Sequence, residues 1–200
     1  MSTLHGTIQE LKRIFDEANK KFFDGKIENV EITVQTNGRK KNCLGWATVE
    51  PVWDSKDNIA SRELNLCAEH IGREPQEIVA TLLHEMVHIL NAQNEVKDCN
   101  AAQYHNKSFK GLAESAGLLV EKFPGRGWAK TSLNEDGIEF VKSVGVDSTK
   151  FVAYRKSPDK QKTAAKKANK YSCGCSKFSS PKELDVKCNQ CGKDFEKEEA

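Results

Sequence analysis

The sequence predicts an α+β fold, in which a helix, a small sheet and two further helices precede a small cysteine-rich domain. Three observations support this class. Apolar residues recur every three to four positions near the N-terminus, polar and apolar residues alternate in three short runs, and further helical patterns follow. Hydrophobic residues make up 38% of the 200 residues, which is enough for a packed core and excludes a wholly disordered chain.

The first helix is indicated by five apolar residues that share one face, and Gly25 ends it. These residues are Ile8, Leu11, Phe15, Ala18 and Phe22. Alternation then predicts three short strands. The residues that define them are Val30, Ile32 and Val34, then Leu44, Trp46 and Thr48, then Leu64 and Leu66.

The second helix runs from Glu74 to about Asn91, with Pro75 in its first turn, where proline is tolerated. Its apolar face comprises Ile78, Leu82, Met86, and Ile89 or Leu90. A third helix starts near Asn106 and stops at Gly117. Its inward residues are Phe109, Leu112, Ala113 and Ala116. A short helix is also predicted over Asn134–Val144, stopped by Gly145.

These patterns divide the chain into four stretches: a main domain over 1–124, a connector with the short helix over 125–149, a basic linker over 150–170 and a cysteine cluster over 171–196. No apolar run approaches the ~20 residues of a membrane span, and the N-terminus lacks the pattern of a secretory signal. We therefore expect a soluble cytoplasmic protein without a membrane partner, associated with the nucleoid if its source is bacterial.

The candidate chemistry lies at His84-Glu85-Met86-Val87-His88, within the second helix. A four-residue step places both imidazoles on one helix face, one turn apart, where they can bind one zinc ion. Glu85 can then take a proton from a water on that zinc during attack on a carbonyl. This pattern indicates a zinc metallopeptidase, and the alternative is a pair of core or solvated histidines.

A catalytic zinc of this kind needs a third protein ligand. The extended motif His-Glu-x-x-His-x-x-Gly-x-x-His supplies this ligand within the same segment, but the sequence does not match it. Asn91 stands at the position of the glycine, and Asn94 stands at the position of the third histidine. His105 at the start of the third helix and Glu114 within it remain as candidates. Of the other two histidines, His70 is expected to lie at the surface or make a polar contact, and His5 is expected to have no role.

The cysteine usage favours metal binding in a reducing compartment over a disulfide framework. The chain has seven cysteines, and four of them lie in the last 28 residues: Cys173, Cys175, Cys188 and Cys191. Four thiolates make a closed, structural zinc site, whose binding energy would fold this short segment. A redox dithiol or free thiols are the alternative. The scattered Cys43, Cys67 and Cys99 are not expected to bind metal, and Cys67 is expected to be buried.

The net charge of +2 conceals a strongly basic segment. Eight basic residues and one acid give 150–170 a charge of +7, so the rest of the chain carries −5. We expect the basic side chains to contact nucleic-acid phosphates, with a solvated linker as the alternative. They are Lys150, Arg155, Lys156, Lys160, Lys162, Lys166, Lys167 and Lys170. Tyr154 and Tyr171 would stack on exposed bases or pack locally.

Residues 7–120 resemble the SprT-like domain, the family that includes the Spartan proteases of DNA–protein crosslink repair. The matching segments are Lys21–Gly25, Val30–Val34, Leu44–Trp46, Glu63–Leu66, Leu82–His88, and His105 with Phe109. In the family the third ligand opens a His-Gly-x-x-Phe motif, whereas Asn106 stands here at the glycine. Gly127–Thr131 is similar to bacterial and phage members, and the cysteine segment resembles the zinc ribbon that often ends these proteins, with Cys-x-Cys in place of the first Cys-x-x-Cys.

The resemblance implies a zincin-like metallopeptidase domain followed by a zinc ribbon. It assigns zinc ligation to His84, His88 and His105, thereby favouring His105 over Glu114, and it assigns the general base to Glu85. It also implies two zinc ions, one catalytic and one structural. The expected partners are single-stranded or exposed DNA and a protein substrate bound to it. Tyr104, beside the third ligand, is the one candidate for oxyanion stabilisation.

Three other functions remain open on the sequence. One is a DNA-binding module whose zinc centre does not cleave, although such a centre has no use for Glu85. Another is a peptidase for free peptides whose ribbon contacts proteins. The third is a transcription-related zinc-ribbon protein with an inert N-terminal scaffold.

Overall fold

A computed structural model of the chain describes residues 4–36, 43–57, 59–156 and 168–198. The chain divides into two compact units, Met1–Ser157 and Pro158–Ala200. The first contains α1 (Leu4–Phe23), β1 (Val30–Gln35), β2 (Gly45–Ala47), β3 (Arg62–Cys67), α2 (Pro75–Gln93), α3 (Lys107–Ser115), β4 (Leu118–Phe123), β5 (Gly127–Leu133) and α4 (Glu135–Val144). The second contains β6 (Asn169–Ser172), β7 (Lys177–Ser180) and β8 (Glu196–Lys197). The α+β class is thus confirmed for the described residues.

The three predicted strands form one sheet with β3 in the centre. β1 pairs with β3 in parallel and places Ile32 opposite Leu64, whereas β2 pairs antiparallel and places Gly45 opposite Leu66. The leucines of β3 belong to the hydrophobic core, and its two buried polar residues, Glu63 and Asn65, accept hydrogen bonds from the Thr33 hydroxyl of β1. Glu63 also accepts bonds from Gln35 and from the Trp53 indole. β2 lies at the edge of the sheet and contacts α2.

Helix α2 is the centre of the first unit. It contacts β2 and β3 of the sheet, and also α1, α3, α4 and β5. The predicted apolar face is buried, but Val79, Leu83 and Val87 on other faces are also fully buried. A helix enclosed on several sides is apolar nearly all round, which explains why its sequence shows a wider apolar surface than one stripe. The helix starts with a capping box between Glu74 and Glu77, with Pro75 in its first turn.

The sequence analysis missed the antiparallel hairpin formed by β4 and β5. The boundary expected after residue 124 falls inside it, so the predicted connector contributes both β5 and α4 to the first unit. Helix α4 itself is confirmed: the Asn134 side chain caps it by accepting a bond from the Gly137 N–H, and Gly145 ends it with φ of 60°. None of the described helices is long and apolar enough to cross a bilayer.

The second unit is a three-stranded sheet in the order β7-β6-β8. Its apolar packing is small. The Tyr171 ring stacks on Phe178 with centroids 5.1 Å apart, and Phe178 meets Phe195 edge-on at 4.9 Å. Tyr171 therefore packs locally, as one of the two sequence-based alternatives expected. A core of three rings needs a further source of folding energy.

Candidate metal centres

Three imidazoles of the first unit converge on one point. His84 and His88 project from the same face of α2, and His105 arrives from the segment before α3. His88 Nε2 lies 3.3 Å from His84 Nε2 and 3.1 Å from His105 Nε2. Nitrogen ligands that surround zinc tetrahedrally at 2.0–2.1 Å are about 3.3 Å apart. The donor type and the spacing therefore fit a zinc ion.

A carboxylate that the sequence analysis missed orients His88. Asp98 Oδ2 lies 2.8 Å from His88 Nδ1 and accepts a second bond, of 2.9 Å, from the buried amide of Asn91. With Nδ1 protonated and bound to Asp98, the lone pair of His88 is left on Nε2, which points to the shared centre. Asp98 follows His88 by ten residues in a loop, where no periodic pattern marks it.

The other two imidazoles are held in the same way by their Nδ1 atoms. His84 Nδ1 lies 3.0 Å from the Thr131 hydroxyl of β5, and His105 Nδ1 lies 3.1 Å from the carbonyl of Gln103. All three rings thus present Nε2 to the centre. Thr131 belongs to the segment noted as similar to bacterial and phage members, which is the one sequence signal that could have identified it.

His105 is fixed by the β4–β5 hairpin and by α3. Its backbone N–H donates to the Arg126 carbonyl, and its carbonyl accepts from the Trp128 N–H. The Phe109 ring lies within 4.8 Å of all three imidazole centroids and forms an apolar wall. Asn106 replaces the glycine of the family motif at an ordinary φ of −94°, and its side chain caps α3. The substitution therefore imposes no backbone strain at this position.

Burial sets the protonation of the centre. It lowers the pKa of His84 well below its ordinary value and also lowers the pKa of His105, so both rings are neutral and able to bind metal. Burial opposes protonation of His88 as well, but the hydrogen bond to Asp98 and the charges of Glu85 and Asp98 outweigh it and raise the pKa of His88. A metal ion therefore competes with a proton for His88.

Glu85 lies beside the centre with only 7% of its surface exposed. Burial raises its pKa to about 7, which is near the value that suits a general base at neutral pH. Gly45 of the edge strand makes room for the carboxylate, because a Cβ at that position would stand 3.2 Å from Glu85 Oε1. Helix α2 and strand β2 thus enclose this side chain together.

The remaining candidates for the centre lie elsewhere. Glu114 is exposed on α3, and its carboxylate lies 3.4 Å from the Lys110 ammonium. His70 ends a short 3₁₀ turn and His5 is exposed on α1. Neither histidine belongs to a group of metal-ligating side chains among the described residues. Tyr104 precedes His105 with its side chain 43% exposed.

The second unit brings its four cysteines together. The sulfur atoms of Cys173, Cys175, Cys188 and Cys191 all lie within 4.8 Å of one another. The Sγ atom of Cys175 lies 3.4 Å from that of Cys173 and 3.6 Å from that of Cys188, close to the about 3.8 Å expected around zinc with Zn–S bonds of 2.3 Å. The cluster has the ligand type, number and spacing of a closed tetrahedral site.

Backbone turns support this cluster. The Cys-x-Cys knuckle is possible because Gly174 adopts a left-handed conformation with φ of 88°. In the other knuckle, hydrogen bonds from the backbone of Cys191 and Gln190 lower the pKa of Cys188 to about 6, which favours the thiolate that binds metal. Cys43, Cys67 and Cys99 lie outside both groups, and Cys67 is fully buried as expected.

The predicted nucleic-acid contacts fall partly on described residues. Arg155 lies against Glu69 with an N–O distance of 3.2 Å, and the Lys150 ammonium is 3.8 Å from Asp147. Lys156 is exposed in the first unit, and Lys170 is exposed on β6 of the second. The other four lie outside the described residues: Lys160, Lys162, Lys166 and Lys167.

Comparison with models of known protein families gives a match. The model of the SprT-like family matches residues 11–126, which is more than half of the chain. The matched range contains the three converging histidines, Glu85 and Asp98, and it ends at the turn of the β4–β5 hairpin. No curated protein and no solved structure matches the chain.

Proposed function

The chain belongs to the SprT-like family, and on that basis we propose that it is a zinc-dependent metallopeptidase. Family membership indicates a metallopeptidase-like function in general. The observation that carries the specific proposal is the convergence of His84, His88 and His105 through their Nε2 atoms, 3.1–3.3 Å apart, beside the buried carboxylate of Glu85.

Three histidines would hold the catalytic zinc ion and leave its fourth position open to water or substrate. When bound, zinc supplies a Lewis acid that polarises a peptide carbonyl and lowers the pKa of water. Asp98 and Thr131, through their bonds to His88 and His84, keep the Nε2 atoms of these rings directed at the shared centre where the ion would bind. We propose a zincin-like fold for this unit, with the ligand helix α2 next to the edge strand β2.

Glu85 would act as the general base and then as the general acid. Its carboxylate, next to His84 in the chain, would accept a proton from the attacking water and deliver it to the departing amine. Its enclosure between α2 and Gly45 limits the positions available to the carboxylate. Proton transfer of this kind contributes about 10²–10⁴-fold to the rate.

The four cysteines of the second unit would bind a structural zinc ion as a zinc ribbon. A site closed by four protein ligands has no open position for substrate. Because the apolar packing of this unit is limited to three rings, metal binding would supply much of its folding energy. Two zinc ions per chain are therefore expected.

We propose that the substrates are proteins bound to DNA, including DNA–protein crosslinks, and that the chain acts in DNA repair. The support is the resemblance to Spartan proteases and the +7 charge of residues 150–170. A basic segment holds a polyanion through its phosphates, so DNA would raise the local concentration of substrate at a weakly selective cleft.

The first experiment compares the wild type with Glu85→Gln in cleavage of a DNA-binding protein, with zinc content measured in both. Glu85→Gln keeps the size of the side chain but removes the base, so we expect two zinc ions per chain and a rate at least about 10²-fold lower. Glu139→Gln, an exposed position on α4, is the matched control and should cleave like the wild type. If the wild type also fails to cleave while both proteins hold zinc, the peptidase proposal is wrong and a non-catalytic DNA-binding module is favoured.

The same assay with and without single-stranded DNA tests the partner. Replacing the four lysines at 160, 162, 166 and 167 by alanine should weaken DNA binding. The slope of log K for DNA binding against the logarithm of the salt concentration should also become less steep by up to about 3, because each lost phosphate contact removes roughly 0.7 from that slope. Cleavage that depends on Glu85 but is unaffected by DNA would point to a peptidase for free peptides.

A further inference from the structure

Residues 104–130 form a second basic segment, which the sequence analysis did not single out. Five basic residues and two acids give this segment a charge of +3. Because the whole chain carries +2 and residues 150–170 carry +7, all other residues together carry −8. The segment comprises the end of the loop before α3, α3 itself and most of the β4–β5 hairpin, which pack against one another in the first unit.

The positive charge of this segment is not balanced by its own acids. Glu114 and Glu121 each lie against a lysine of the same segment, with N–O distances of 3.4 Å and 2.7 Å. Lys107, Lys122 and Arg126 are exposed, and the described part of the chain offers none of them a carboxylate at ion-pair distance. Three cations on one exposed segment of an otherwise acidic unit attract a polyanion.

Two lysines converge on one indole ring of the hairpin. The Nζ atom of Lys110 on α3 lies 4.3 Å from the centroid of the Trp128 ring, and the Nζ atom of Lys122 on β4 lies 5.0 Å from it. The ring attracts both ammonium groups, although they repel each other. A phosphate that contacts both lysines would remove this repulsion, so the pair is arranged in advance for an anion.

Two exposed aromatic rings lie at the turn of the same hairpin. Phe123 directly follows Lys122, pairs with Gly127 in the β4–β5 register and is 53% exposed. The Tyr104 ring lies against Gly127, because a Cβ at that position would stand 2.9 Å from Tyr104 Cε1. Proteins that bind single-stranded nucleic acid combine cations for the phosphates with rings on which the bases stack.

We propose that this part of the first unit binds single-stranded DNA, its cations contacting the phosphates and its exposed rings stacking on the bases. The hairpin surface consists of Tyr104, Lys110, Lys122, Phe123, Arg126 and Trp128. Single-stranded DNA fits this surface better than a duplex, because the base faces of a duplex are already stacked on one another. An acidic peptide would use the cations but would leave the exposed rings without a partner.

The hairpin surface adjoins the proposed zinc centre. Tyr104 directly precedes His105, and the Trp128 N–H donates to the His105 carbonyl. DNA held here would lie beside that centre, in addition to any contact that residues 150–170 make. The inference rests on the proposed function for its choice of DNA as the partner. Binding requires no cleavage, however, so the peptidase proposal and this one can fail separately.

The test measures binding of a fluorescent twelve-nucleotide oligothymidylate to the full-length, zinc-loaded chain at several salt concentrations. The parent protein carries alanine at 160, 162, 166 and 167, so the contacts of that segment are already removed. Lys110→Gln combined with Lys122→Gln should weaken binding on the order of tenfold at about 0.1 M salt. The slope of log K against the logarithm of the salt concentration should become less steep by up to about 1.4, at roughly 0.7 per phosphate contact.

The matched control removes two positive charges from α1 instead. Lys12→Gln combined with Lys20→Gln changes two exposed lysines, and the Lys12 ammonium also lies over a ring, 5.0 Å from the Phe15 centroid. This control should bind the oligonucleotide like the parent protein. If the parent itself does not bind, or if the variant of Lys110 and Lys122 binds like the control, the proposal is wrong.

Two further variants separate charge, stacking and fold. Phe123→Leu keeps an apolar side chain but removes the ring, so binding should weaken at least about fivefold while the salt slope stays unchanged. Lys110→Arg combined with Lys122→Arg keeps both charges and should keep the slope of the parent. A lower slope in this arginine variant, or unchanged binding by Phe123→Leu, would overturn the proposal. So would displacement of the oligonucleotide by a hexaglutamate peptide as readily as by unlabelled oligothymidylate.

Discussion

Replacing Asp98 by asparagine tests how the proposed zinc ligands are oriented. Asp98 Oδ2 lies 2.8 Å from His88 Nδ1 and 2.9 Å from the Asn91 amide, and the residue is buried. Asparagine has nearly the same size, so the loop can keep its shape. The negative charge that holds the proton on Nδ1 and increases the basicity of Nε2 is lost.

The expected magnitude follows from the type of contact. Loss of a partner that orients a metal-bound histidine lowers metal affinity by about 10–100-fold, which corresponds to about 1.4–2.8 kcal/mol. Thr131→Val removes the corresponding bond to His84 Nδ1, of 3.0 Å. Because this contact involves a neutral hydroxyl, we expect an effect at or below the lower end of that range.

The assay is competition for zinc against a chromophoric chelator, followed over both zinc equivalents. In Asp98→Asn the zinc affinity of the histidine site should fall, while the affinity of the cysteine site should stay unchanged and serve as an internal reference. Asp136→Asn, an exposed position in the first turn of α4, is the matched control. Wild-type affinity at both equivalents in a folded Asp98→Asn protein would refute the assignment of Asp98 as an orienting residue.

Three further predictions concern the proposed zinc ligands, the proposed general base and the proposed zinc ribbon. His105→Ala should lose one zinc equivalent by atomic emission, whereas Glu114→Gln should keep both; the reverse result would make Glu114 the third ligand. In the zinc-free protein, burial raises the pKa of Glu85 from 4.5 to about 7. Its contribution to stability is therefore present below about pH 4.5 and lost as the pH rises through 7. Denaturant titration should show that the free energy of unfolding of the wild type falls by up to about 3 kcal/mol over this pH range, and that Glu85→Gln lacks this decrease. An identical pH dependence in both proteins would contradict the raised pKa of Glu85. Cys188→Ser should lose the other zinc equivalent and speed hydrogen exchange across 168–198, and unchanged protection there would show that the ribbon folds without its metal.

Local sequence patterns predict most elements of the first unit because each depends on neighbours in the chain. The spacing of Leu11, Phe15 and Ala18 indicates α1, and all three are buried. Glycine marks the ends of helices through its left-handed conformation, as Gly117 and Gly145 show with φ of 81° and 60°. The β4–β5 hairpin was missed because its stability depends on packing against α2 and α3 rather than on a strong alternating pattern.

The spacing of the His-Glu-x-x-His segment by itself determines that the two imidazoles share one face of a helix and that the carboxylate lies beside them, because residues four positions apart lie one turn apart in an α-helix. The spacing of the four C-terminal cysteines likewise indicates a four-thiolate site without any knowledge of how the chain folds. The choice between His105 and Glu114 is different, because the residues alone allow both, and the tertiary structure places only the histidine with the other two.

The partners that orient the ligands are decided by the tertiary structure alone. Thr131 is 47 residues from His84 in the chain, and it reaches the ring only because β5 packs against α2. Asp98 is closer in sequence, but its loop must turn back to reach His88. The raised pKa of Glu85 also arises from burial beneath a strand that lies forty residues earlier. These contacts depend on how elements distant in the sequence pack together, and a local sequence pattern does not predict that packing.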